Sequence, residues 1–117
     1  MDREKLELEK WRAALMSDLR SSDIEMSTRA LLAMTYDDPD RKRVEAVLLE
    51  CLSRETDPQI RALAVTCMGH VGRIHKVVSA DVVNRLEELL DDPTLGGLAE
   101  DALGDIAAFA RENLKKG

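Results

Sequence analysis

His70 and His75 are the residues best suited to acid–base or metal chemistry in this chain, because imidazole titrates near neutrality and ligates zinc. They stand five positions apart around Gly72, so they do not share a helical face as a zinc-binding His-x-x-x-His pair does. They read as loop histidines. Cys51 and Cys67 fall on apolar helical positions and read as small, inert core residues rather than nucleophiles or a disulfide. Serine, histidine and aspartate all occur, but no Gly-x-Ser-x-Gly elbow frames a nucleophile. Gly69-His-Val-Gly72 and Gly96-Gly97 lack the Gly-Lys-Ser/Thr of a phosphate loop. The pairs Asp37-Asp38, Glu87-Glu88 and Glu100-Asp101 sit beside helix caps or on wet faces and read as solvated charge. Arg73-Ile-His-Lys76, the one locally basic stretch, reads as a solvated linker. No catalytic, metal or cofactor site is expected, and the chain does not read as an enzyme.

Binding is then the remaining business, and composition narrows its kind. The 117 residues are 44% apolar and 34% charged, which suits one folded domain with a core. Trp11, Tyr36 and Phe109 are the only aromatics, so the core must be aliphatic, with Trp11 packed on the apolar stripe of its helix. The net charge of −6 disfavours nucleic acid, whose binding rests on cations against phosphates. It suits a basic protein partner. No apolar run is long enough to span a membrane, and the first residues show no apolar signal region. The cytoplasm is the expected location.

The elements that would hold a binding surface are helices. Asp38-Pro39, Asp57-Pro58 and Asp92-Pro93 each couple a side chain that accepts from helix amides with a residue that needs no amide partner. Ser22-Asp-Ile-Glu25 has capping-box spacing, and Ser79 is a fifth start after a loop around Gly69, Gly72 and Arg73. Six helices are expected, near 3–20, 22–36, 39–55, 58–71, 79–91 and 93–115. Apolar stripes recur at helical period, as in Val44, Val47, Leu48 and Cys51 and in Val82, Val83, Leu86, Leu89 and Leu90.

The segment from Asp57 to Gly69 repeats 35 positions later from Asp92 to Gly104. Ile60 matches Leu95, Leu63 matches Leu98, Ala64 matches Ala99, Cys67 matches Ala102 and Met68 matches Leu103. A weaker copy places Met26, Ala30, Ala33 and Met34 at the positions of Ile60, Ala64, Cys67 and Met68. Through Asp57, Pro58, Ile60, Arg61, Ala64, Cys67, Met68 and Gly69, the middle copy resembles the HEAT repeat family. Gly96 stands where Arg61 does, which loosens the likeness in the last copy. The resemblance implies an all-α fold, a short right-handed α-solenoid of about six helices in hairpins. Residues 1–21 would cap it, 22–56 and 57–91 would form two repeats, and 92–117 a closing half-repeat. It specifies stacking rather than activity.

In such a stack the second helices line one broad surface. The positions opposite their apolar stripes are Lys10, Ala13 and Ser17 in the first helix, Lys42, Ala46, Leu49 and Ser53 in the third, and Asp81, Asn84 and Glu88 in the fifth. Ala13, Ala46 and an exposed Leu49 would form a shallow apolar strip with a polar border. The leading expectation is a protein–protein interaction module, with an immunity-type inhibitor of a basic toxin as its concrete form. The alternative is an adaptor or assembly factor, such as the HEAT-like proteins that attach chromophores. HEAT-like DNA glycosylases use a strongly basic groove and the iron hydroxylases use His-Glu ligands; this sequence has neither.

Overall fold

Five of the six helices start where a short acidic or hydroxyl side chain can accept from the first free amides. The computed structural model describes residues 2–110, and these form α1 (Arg3–Leu19), α2 (Ile24–Asp37), α3 (Arg41–Glu50), α4 (Pro58–His75), α5 (Ala80–Leu89) and α6 (Gly96–Phe109). Asp2, Asp23, Asp40, Asp57 and Ser79 cap the first five. Among the described residues there is no strand, and no helix is long and apolar enough to cross a membrane.

Several boundaries differ from expectation for identifiable reasons. Asp23, not Ser22, caps α2, while Ser21 Oγ accepts from the Asp23 amide. Asp40 rather than Asp38 caps α3, because Asp38 is drawn into an ion pair. Arg12 donates to both of its carboxylate oxygens at 2.8 Å, and the Asp38 side chain is fully buried. Asp92 accepts from the Thr94 and Leu95 amides at 2.8 Å, forming a turn before α6 begins at Gly96. The stretch 111–115 expected in the last helix lies outside the described residues. The loop expected around Gly69, Gly72 and Arg73 is helical, so His70 and His75 are helix residues.

That continuity of α4 follows from packing. The principal interhelix contacts are α4 with α6, α1 with α2, α2 with α4, α5 with α6 and α3 with α4. The even-numbered helices therefore form a row, with α4 at its centre. A β-carbon on Gly69 would sit 3.1 Å from Ala102 Cα, and one on Gly72 would sit 3.0 Å from Ile106 Cγ1. Glycine weakens an isolated helix by roughly 1 kcal/mol, but here it admits the neighbouring helix, and the buried area gained offsets that loss. The Cα extents of 43 × 33 × 16 Å describe a flattened body.

The core is aliphatic, as composition demands: Leu31, Val44, Leu48, Val65, Met68 and Leu86 are all completely buried. The repeat register shows in burial as well. Ile60 and Leu95, Ala64 and Ala99, and Cys67 and Ala102 are buried, while Leu63 and Leu98 are both half-buried. Beyond that the copies diverge. Met68 is buried but Leu103 only half-buried, and Met26 is 41% exposed where Ile60 is buried. Leu90, expected on the α5 stripe, is 43% exposed. Trp11 is half-buried rather than in the core.

Candidate functional site

Between α3 and α5 runs a groove of about 310 Å³ lined by Arg41, Lys42, Glu45, Ala46, Leu49, Ser79 and Asp81. The sequence makes it in simple steps. Val44, Val47 and Leu48 turn one side of α3 into the core, and Val82, Leu86 and Leu89 do so for α5. The remaining faces, with Lys42 and Ala46 on α3 and Asp81 on α5, are left exposed. Leu49 is a correction: it is half-buried and packs against the core, so it forms wall rather than open surface. Its position on the wheel lies opposite Cys51, but α3 ends at Glu50, and wheel angles lose meaning at a helix terminus.

Glu45 holds the two helices together. It is only 4% exposed, yet charged. Arg41 Nη1 donates to its Oε2 at 2.9 Å, and the backbone N–H of Ser79 donates to the same oxygen at 2.9 Å. A carboxylate can be buried only when such donors replace its lost water. Ser79, in turn, caps α5 by accepting from the Val82 amide. The i,i+4 spacing of Arg41 and Glu45 is visible in the sequence, but the link to Ser79 depends on how the chain returns.

The groove gathers Lys42, Ala46, Leu49 and Asp81 from the expected surface. It does not gather Lys10, Ala13 and Ser17, which are exposed on α1, whose main contacts are with α2. Asn84 and Glu88 are exposed further along α5, and Ser53 is exposed in the turn after α3. A second cleft, about 300 Å³, lies between the α1–α2 and α3–α4 ends and includes Met16, Leu19, Ile24, Val47, Cys51 and Ile60.

The chemically reactive groups sit outside the α3–α5 groove. Burial pushes the Cys51 thiol up to about 11, helped by the negative Glu50. Burial also raises Cys67, against a hydrogen bond with Thr35. Neither is a ready thiolate. The His70 ring lies 5.3 Å from that of Tyr36, and Arg73 meets its Nδ1. Burial and then the Arg73 charge hold His70 below its usual value, with Asp105 opposing. Among the described residues, no three His, Cys, Asp or Glu side chains cluster to hold a metal.

Nothing matches the chain among family models, curated proteins or solved structures.

Proposed function

We propose that the chain is a non-catalytic protein-binding module, a short right-handed α-solenoid of HEAT-like hairpins that docks a partner in the α3–α5 groove. The architecture is supported by the shared burial of Ile60 and Leu95, Ala64 and Ala99, and Cys67 and Ala102 along α4 and α6. One observation carries the docking reading: buried Glu45 ties Arg41 to Ser79 beneath Lys42, Ala46, Leu49 and Asp81. A groove fixed in advance loses less entropy when a partner arrives.

The net charge of −6 supports a basic partner, since complementary fields raise association rates. An immunity-type inhibitor that holds a basic toxin in the cytoplasm joins acidity and a stoichiometric groove in one reading. The test is affinity capture with the tagged full chain from its source cells, at low and at high salt. Wild type should retain one basic protein stoichiometrically, with less retained at high salt. Ala46→Arg should lose it, while Glu100→Arg with Asp101→Arg should keep it at reduced rate. Equal retention by Ala46→Arg would sink the groove, and an acidic partner would sink the charge argument.

A further inference from the structure

The first turn of α3 is chemically out of place. Arg41, Lys42 and Arg43 follow one another there, and the turn holds no acidic residue. A helix N-terminus carries a partial positive charge, which disfavours cations by a few tenths of a kcal/mol or more each. Two of the three are compensated within the chain. Arg41 pairs with Glu45 at 2.9 Å, and Arg43 Nε lies 3.6 Å from Asp38. Lys42 is exposed and lines the groove, and among the described residues its side chain takes part in no hydrogen bond or ion pair. Local rules are broken most often at functional or strained sites, and Lys42 has no paired carboxylate among the described residues.

Asp81 is its counterpart on the other lip. It belongs to the first turn of α5, is exposed, lines the same groove, and likewise pairs with no described residue. Two opposite charges thus border one groove without meeting across it. The small Ala46 and the half-buried Leu49 line the same groove. Glu45 and Arg41 neutralise each other in the wall, so the charges offered to an occupant are Lys42 and Asp81.

We infer that the groove takes a short segment of a partner protein that carries an aliphatic side chain together with a carboxylate and a cation. The aliphatic group enters beside Ala46 and against Leu49. The carboxylate meets Lys42 in a charge-assisted contact. The cation meets Asp81. This rests on the groove being the docking face, and it adds the composition of what docks there.

The test is selection from a displayed library of random short peptides on immobilised full-length protein, after depletion on Ala46→Arg. Recovered sequences should share an aliphatic residue accompanied by both an Asp or Glu and a Lys or Arg. For a synthetic peptide of that pattern, Lys42→Glu should weaken binding about tenfold, equivalent to about 1.4 kcal/mol. Changing the peptide's acid to lysine should restore binding to Lys42→Glu. Both variants lie on exposed positions, and helical circular dichroism checks that each is folded. Peptides that need an intact Ala46 but lack the charge pattern, or ignore Lys42→Glu, overturn this inference and leave the groove standing. Failure to enrich any sequence, or equal binding to Ala46→Arg, overturns both.

Discussion

The carboxylate of Glu45 and the backbone N–H of Ser79 meet at 2.9 Å, although 34 residues of chain separate them. That single oxygen, also held by Arg41, fixes the start of α5 against the middle of α3. Glu45→Ala would leave the Ser79 amide and the Arg41 guanidinium seeking water in a crowded wall. It should lower unfolding free energy by roughly 1–3 kcal/mol. Hydrogen exchange offers the local reading: the Ser79 amide should lose protection more than amides in α1.

Arg12 and Asp38 make a second long-range lock, between α1 and the α2–α3 turn. Burial alone would raise the Asp38 carboxyl. The Arg12 hydrogen bond, the Asp40 amide and the Arg12 and Arg43 charges outweigh it and hold it below the usual value. A lowered folded value means that this stability is present above the unfolded carboxylate value, about 4. It is lost as pH falls through the folded value. Urea unfolding at stepped pH should show that loss, with a flatter acid limb in Asp38→Asn. Arg12→Ala at neutral pH should cost roughly 3 kcal/mol, because it strips a buried carboxylate of its main partner.

Gly69 and Gly104 occupy the same place in the repeated sequence but not in space. The first abuts Ala102, whereas a β-carbon on Gly104 would meet nothing within 4 Å. Gly104→Ala should therefore stabilise the protein by about 0.5–1 kcal/mol, through lower backbone entropy in the unfolded chain and better helix propensity. Gly69→Ala should destabilise it by roughly 1–3 kcal/mol, as overpacked interfaces do. Thermal unfolding of the two variants side by side decides this, and matching signs would contradict the packing described.

What is legible in the sequence is local. Asp57-Pro58 and Ser79 announce helix starts because capping is a contact between near neighbours. Inward stripes such as Val44, Val47 and Leu48 are equally readable. Less legible is whatever depends on a distant element. Gly69 and Gly72 read as a loop because the α6 surface that rewards them is over 30 positions away. Asp38 reads as a cap because Arg12, its real partner, lies 26 residues earlier. Of the expected surface, Lys42, Ala46, Leu49 and Asp81 do line one groove. Ala13 does not join them, since helical wheels give faces but not the neighbours those faces meet.

The cysteines give a chemical check on the core. Cys51 and Cys67 are both buried with raised thiol values, so neither supplies thiolate or access at neutral pH. Iodoacetamide should modify both quickly in denaturant and neither appreciably in the native state, as read by intact mass. Rapid native labelling of Cys67, which is fully buried, would show that α4 opens more readily than its packing allows.

In the proposed docking mode a partner protein lies across α3 and α5, and site-specific photocrosslinking reads this even when the partner is unidentified. A photoreactive residue replaces Ala46, or in a parallel variant Asp101, both exposed positions. Irradiation in the source cells should join position 46 to one protein in high yield and leave position 101 largely uncrosslinked. Lys42→Glu in the same background should reduce that yield. A partner that crosslinks to position 101 and not to position 46 would contradict the account.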